Sequence, residues 1–256
     1  MPNLTAFIDI EDADINLKET AQMFLPQSLI CDYRYTGSGI ISKQVFCLLF
    51  YYFTTLLEKY MKLLEQKITA EGKVLPGNIL KVDGFLNHRI DVPFVMELGK
   101  EIARRFENSG VTKILTIEAS GIAVATAAAF YLNVPLVFAK KHKSGNISDN
   151  VYSAGAHSFT HGNDYNAVVS KEYLCEKDNV LIVDDFLALG SALECLMNIV
   201  HQAGAQVAGC ASIIEKGYQG GGDKIRATGV RVESLAIIES MENGKIVYRP
   251  DEGEAK

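Results

Sequence analysis

Residues 179–192 read Asn179-Val-Leu-Ile-Val-Asp-Asp-Phe-Leu-Ala-Leu-Gly-Ser-Ala192. Four apolar residues, Val180 to Val183, run into the paired acids Asp184 and Asp185, and a loop of small residues, Ala188 to Ala192, leads into an apolar helix-like stretch. A short apolar run rich in β-branched residues suits a strand covered on both faces, as in a parallel sheet. Ligands of open α/β sheets bind beyond the carboxyl ends of such strands, which is where Asp184 and Asp185 are expected. Gly190 permits a tight turn, and Ser191 is of the type that caps the helix after it. Free N–H groups at that helix start favour a phosphate. Carboxylates beside a phosphate suit ribose hydroxyls, or a magnesium ion with its waters. The segment lacks both the G-x-x-x-x-G-K-[ST] and the G-x-G-x-x-G patterns. Alone, it reads equally well as a strand–turn–helix junction whose acids merely cap the helix.

A chain of 256 residues with 48% hydrophobic and 22% charged residues is soluble and globular in class. Its net charge of −6 gives no footprint for bulk nucleic-acid binding. Cysteines 31, 47, 175, 195 and 210 are odd in number and without C-x-x-C spacing. They read as reduced thiols, with Cys195 and Cys210 in apolar surroundings, and not as a disulfide framework or zinc site.

Residues 1–60 differ from the rest. They open with acids (Asp9, Glu11, Asp12, Asp14, Glu19) and end on Val45-Phe-Cys-Leu-Leu-Phe-Tyr-Tyr-Phe53, continuing to Leu57. That run is too short to span a bilayer and lies too far from the terminus for a signal peptide. From Met61 the chain alternates: helices at 61–70, 93–108, 121–132 and 192–203, and strands at 113–117, 136–139, 180–183 and 207–214. Residues 144–166 read as a hairpin or mobile loop. Such alternation predicts a mostly parallel sheet with helices on both faces.

Three further clusters carry chemistry. Glu118-Ala-Ser-Gly-Ile122 forms a second strand-to-helix turn, with Ser120 as a cap, whose N–H groups suit a pyrophosphate. Lys140-Lys141-His142-Lys143 is either a solvated turn or a cationic rim for an anionic substrate. Leu80 and Asn87 flank a lid-like segment, and Lys216 follows a buried strand. Without further context these last three are a core leucine, a turn asparagine and a snorkelling lysine.

The signature of hydrophobic strand, two acids and small-residue loop resembles that of phosphoribosyltransferases. Leu80-Lys-Val-Asp-Gly-Phe-Leu-Asn-His88, Thr116-Ile-Glu-Ala-Ser-Gly-Ile122, Val137-Phe-Ala-Lys-Lys-His-Lys-Ser144, Asp184-Asp-Phe-Leu-Ala188 and Ile214-Glu-Lys216 narrow it to the bacterial xanthine phosphoribosyltransferase family. The resemblance runs from Met61 to about Tyr248. It implies an α/β type I phosphoribosyltransferase fold with a flexible loop and a small hood segment. It also implies a cytoplasmic homodimer that acts on xanthine and phosphoribosyl pyrophosphate (PRPP), with magnesium entering through PRPP, without a nucleic-acid or membrane partner. By the same resemblance, Asp184 and Asp185 are catalytic. Ala188, Leu189, Gly190, Ser191, Ala192, Ser120, Gly121, Lys140 and Lys141 hold PRPP, and Leu80, Asn87 and Lys216 hold the purine. Two departures stand out: relatives carry Ala-Asn-Gly-Gln-Ala where this chain has Ala188-Leu-Gly-Ser-Ala192, and often Arg where it has Lys140, which keeps the charge but not the bidentate fork. A guanine- or hypoxanthine-preferring transferase and a PRPP-sensing nucleic-acid regulator on the same fold are the alternatives.

Because the resemblance starts at Met61, the native chain is expected to begin there, with 61–256 as the transferase domain and 1–60 a gene-start artefact. Removing four basic and seven acidic residues would bring the charge from −6 to −3. Intact-mass measurement of the natively produced protein tests this; a mass matching all 256 residues overturns it.

Overall fold

The computed structural model describes residues 63–141, 150–158, 163–242 and 244–249. The expectations for residues 1–60, for a start at Met61 and for His142 and Lys143 lie outside them. Helix α1 occupies 63–71. A hairpin of β1 (Lys73–Leu75) and β2 (Ile79–Lys81) follows, then one π-helical turn, Asp83–Asn87. Helix α2 (Val92–Phe106) starts where the Asp91 carboxylate accepts the Phe94 N–H at 3.3 Å, with proline in its first turn. Strand β3 (Lys113–Ile117), helix α3 (Gly121–Leu132) and strand β4 (Leu136–Ala139) complete a first parallel unit. A hairpin expected within 144–166 is present among the described residues and runs past that range, β5 (Val151–Ser158) pairing antiparallel with β6 (Asn163–Ser170). Strand β7 (Asn179–Leu187), helix α4 (Ser191–Gln202), strand β8 (Gln206–Lys216) and the short helix α5 (Gly221–Arg226) follow. Strands β9 (Val232–Glu242) and β10 (Lys245–Tyr248) end the described chain.

The central sheet has the order β10-β9-β8-β7-β3-β4. All neighbours are parallel except β10, which runs antiparallel on the edge. Its two faces bury separate cores, because alternate strand residues point to opposite sides. Leu181 and Val183 of β7 pack with residues of α1, α2 and α3. Val180 and Ile182 pack on the other side with Leu193, Cys195, Leu196 and Ile199 of α4, Ile225 of α5 and Ala156, Ala167 and Val169 of the hairpin. The expected arrangement, a mostly parallel sheet covered on both faces, is present. Cys195 and Cys210 lie in the second core, where burial pushes their thiols up to about 11 and about 12. No helix among the described residues is long and apolar enough to cross a membrane.

Strand β7 is longer than its apolar run. It extends from Asn179 to Leu187, so Asp184 and Asp185 stand within the strand and not beyond it. The β8 side explains this: Asp184 pairs with Ser212, and Phe186 with Ile214, so the ladder continues past the acids. On the other side, β3 pairs with β7 only through Ile182. From Val183 onward that edge of β7 is open, and the 118–121 turn enters there.

Candidate functional site

Two turns meet at the carboxyl ends of β3 and β7. The first, residues 118–120, connects β3 to α3 and contains a cis peptide between Glu118 and Ala119. Ser120 lies at the helix start, but its hydroxyl does not cap the helix; it donates to the Asp185 carboxylate at 2.9 Å. Turned toward the acid, the hydroxyl accepts no N–H of the helix start, where the Ile122 N–H instead donates to the Ala119 carbonyl at 3.2 Å. Glu118 accepts the Lys141 backbone N–H at 2.8 Å, which ties this turn to the end of β4. Lys140 forms an isolated antiparallel bridge with Val168 of the hairpin, so the same corner also receives β6.

Gly121 starts α3 in close contact with the acids. A Cβ there would come 2.3 Å from Thr116 Oγ1 and 2.9 Å from Asp184 Oδ1. Asp184 and Asp185 are each only 5% exposed. Burial first, and then the neighbouring Asp185 carboxylate, push the Asp184 carboxyl well above the usual carboxylate range; Lys141 opposes the rise. The Lys141 ammonium lies 5.3 Å from the centre of the Tyr165 ring, and burial beside Cys195 and Asp184 raises the Tyr165 phenol to about 12.

The second turn, 188–190, follows β7. Gly190 has a φ of 87°, a left-handed conformation that favours glycine, and itself occupies the N-cap position of α4. Ser191 is therefore the first residue inside the helix, and no side chain caps it; the expected Ser191 cap is not formed. Leu189 is 37% exposed, and Ala188 turns its carbonyl away to accept the Gly221 N–H at 3.1 Å. The first N–H groups of α4, including that of Ala192, remain at the open end of the sheet.

Of the three residues expected to hold the purine, Lys216 and the hairpin that carries Leu80 meet at the end of β8. The Lys216 ammonium donates to the Asn78 carbonyl in the β1–β2 turn at 3.1 Å and lies 5.9 Å from the centre of the Phe186 ring. Burial holds it below the ordinary lysine range. Leu80 is buried in β2, so the hairpin that carries it is brought onto Lys216. Asn87 ends the π-helical turn, is exposed, and forms no hydrogen bond among the described residues, leaving its amide donor and acceptor open. The sequence reading missed Phe186, Asn78, Tyr165 and the glycines at 220–222. Only the glycine run left a trace in the sequence, as three successive residues that tolerate close approach.

Residues 88–244 match the phosphoribosyl transferase domain family. The xanthine phosphoribosyltransferase of Clostridium novyi is 52% identical over 189 residues, covering 74% of this chain and all of that protein. That of Heliobacterium modesticaldum is 54% identical over 188 residues, covering 73% and 100% respectively. That of Alkaliphilus metalliredigens is 50% identical over 196 residues, covering 77% and 97%. Among solved structures, the adenine phosphoribosyltransferases of Rhodothermus marinus and Saccharomyces cerevisiae share the fold, with TM-scores of 0.57 and 0.56. They are 23% and 20% identical, and the alignments cover 70% of this chain in each case and 98% and 99% of theirs. Identity of at least half, sustained along nearly the whole of each curated relative, shows that this chain belongs to the bacterial xanthine phosphoribosyltransferase family.

Proposed function

We propose that the protein transfers the 5-phosphoribosyl group of PRPP to N9 of xanthine, yielding xanthosine 5′-monophosphate and pyrophosphate in purine salvage. The observation that carries this reading is the 2.9 Å hydrogen bond from Ser120 to Asp185. It ties the first turn to the strand that leads into the second, so that the acid pair lies between the two turns along the chain's path. A sugar phosphorylated at both ends needs this arrangement: a grip for each phosphoryl group and hydroxyl acceptors in the middle.

In the reaction the C1–O bond to pyrophosphate breaks, the C1–N9 bond forms, and the N9 proton departs. The 188–192 loop and the start of α4 grip the 5-phosphate by backbone N–H groups, which the change to Leu189 and Ser191 leaves intact. Ser120, Gly121 and the cations Lys140 and Lys141 receive the pyrophosphate. Asp184 and Asp185 accept from the ribose hydroxyls, and their charge favours the positive charge that grows on the ring as pyrophosphate leaves. The acids are hard oxygen donors, but no three potential metal-ligating side chains cluster among the described residues. That donor set suits a largely hydrated magnesium ion carried by the diphosphate, not a protein-built cage. When bound with PRPP, the ion neutralises the departing pyrophosphate. The hairpin of β5 and β6 packs on α4 through Ala156, Ala167 and Val169, and the loop region 144–166 is assigned the role of excluding water from the activated sugar.

Lys216 directs a cation at the exocyclic oxygen of a 6-oxopurine, Asn87 pairs with a base edge, and Leu80 closes the pocket. A cation there disfavours the 6-amino group of adenine, itself a donor. We propose a homodimer in the cytoplasm, as the family resemblance implies. The test is a panel of xanthine, guanine, hypoxanthine and adenine with PRPP and magnesium, read as nucleotide formed. Xanthine is expected to give the highest kcat/KM and adenine no measurable product. Product from adenine at a rate matching xanthine would overturn the assignment of Lys216; a preference for guanine would move the protein to the neighbouring specificity.

A further inference from the structure

Against the 188–192 loop, a glycine pair is wedged between the loop and an ion pair whose acid is buried. Gly221 meets the loop: a Cβ on it would lie 2.3 Å from Ala188 O, 2.4 Å from Leu189 C and 2.6 Å from Gly190 N. Its N–H donates to the Ala188 carbonyl at 3.1 Å. Gly222 meets the ion pair: a Cβ there would lie 2.1 Å from Glu215 Oε1 and 2.7 Å from Arg226 Nη1. Arg226 reaches Glu215 with both guanidinium arms, at 2.9 and 2.6 Å, and Glu215 is fully buried at the end of β8. A polar chain continues inward, since Ser234 donates to Glu215 and its hydroxyl lies 2.9 Å from that of Ser212, the β8 partner of Asp184. Ile225 completes the packing; its Cδ1 would lie 3.1 Å from a Cβ on Gly190.

We infer that Glu215 and Arg226 are positioning residues for the 5-phosphate grip, acting through α5. The bidentate pair fixes a six-residue helix that has too few internal hydrogen bonds to hold itself in place. That helix in turn presents Gly221 as the rigid backing that sets the backbone of Ala188, Leu189 and Gly190. The loop binds phosphate with backbone N–H groups, so its affinity depends on how well its backbone is held. The neighbouring Lys216 points elsewhere, toward Asn78 and Phe186, because successive strand residues face opposite ways. The clamp therefore serves the phosphate end and not the purine end. The inference rests on the proposed assignment of the 188–192 loop to the 5-phosphate.

The test measures calorimetric affinities of the full chain for ribose 5-phosphate, which carries only the 5-phosphate, and for inorganic pyrophosphate, which occupies the other turn. The variants are R226M, G221A and the double variant E215Q/R226M, which leaves no unpaired buried charge and so recovers stability. All three are expected to weaken ribose 5-phosphate by about tenfold, as removal of groups that hold a binding residue from behind does. Pyrophosphate affinity is expected to stay within about twofold, the margin for independent sites. The inference is overturned if ribose 5-phosphate affinity is unchanged in R226M and G221A, if both ligands weaken equally, or if the double variant regains that affinity along with stability. Failure of the underlying assignment looks different: G190A, which disturbs the loop itself, would then leave ribose 5-phosphate affinity unchanged.

Discussion

An Asp185→Asn enzyme is expected to lose roughly a hundredfold or more in kcat, the scale seen when one preorganised charge-stabilising group is removed. Its KM for xanthine is expected to move by no more than about threefold, because the lost interaction strengthens only as the transition state forms. The substitution is nearly isosteric, and the amide oxygen can still accept the Ser120 hydroxyl that Asp185 holds at 2.9 Å. The turn therefore keeps its place and only the charge is lost. At 5% exposure that charge acts on the sugar through little water, which raises its worth over that of a surface carboxylate. A second readout follows from Asp184, whose carboxyl is pushed up first by burial and then by Asp185. Burial persists in the variant but the neighbouring charge does not, so the acid limb of kcat/KM is expected to shift to lower pH. Steady-state kinetics with each substrate varied decide the matter. Equal losses in turnover and xanthine affinity would show that Asp185 serves ground-state binding instead.

A Gly121→Ala enzyme is expected to suffer in both stability and turnover. The added methyl group would stand 2.3 Å from Thr116 Oγ1, itself fully buried, and 2.9 Å from Asp184 Oδ1. Neither neighbour is the free end of a flexible side chain, so α3 must shift away from β3 or the acid must be displaced. Overpacking of this kind costs about 1–3 kcal/mol, and each kcal/mol lowers Tm by about 2–4 °C in a domain of this size. The displaced turn carries Ser120 and the N–H groups offered to pyrophosphate, so turnover is expected to fall by about a hundredfold, as it does for small misplacements of substrate-positioning groups. Thr116→Ala in the same chain separates the two effects. It removes the hydroxyl that makes the closest contact but leaves Asp184 crowded. The double variant should regain much of its Tm while turnover stays low. Thermal unfolding and kinetics on the same preparations check this; full recovery of turnover would mean that the contact with Asp184 is unimportant.

Elements bounded by strong local signals were legible in the sequence at their true limits. Strand Lys113–Ile117, helix Gly121–Leu132 and strand Leu136–Ala139 lie between glycine, asparagine and proline punctuation, and their patterns are unmixed. Strand Val232–Glu242 gave no clear reading, because Glu233, Ser234, Glu239 and Ser240 interrupt it. Those polar residues are tolerated by partners that only the fold supplies: Arg105 reaches Glu233 at 3.1 Å, and Ser234 meets Glu215 and Ser212. Strand β7 was cut short at Val183 for a similar reason. Two aspartates look like the end of a buried strand, yet pairing with Ser212 and Ile214 of β8 carries the ladder through them. The two serine caps failed for different reasons: Gly190 takes the N-cap position ahead of Ser191, and the Ser120 hydroxyl is turned toward the Asp185 carboxylate.

The chain alone determined what depends on neighbours in sequence: the alternation of strands and helices, the two glycine-bearing turns, the acid pair, and through these the family. Periodicity and turn chemistry act over a few residues, so they are written locally. Tertiary structure alone decided which of those pieces face each other. It set Ser120 against Asp185, 65 residues apart, Lys216 against Asn78, 138 apart, and the Glu215–Arg226 pair behind the phosphate loop. Such contacts form only when distant segments are packed together in the native sheet, and no local pattern encodes them.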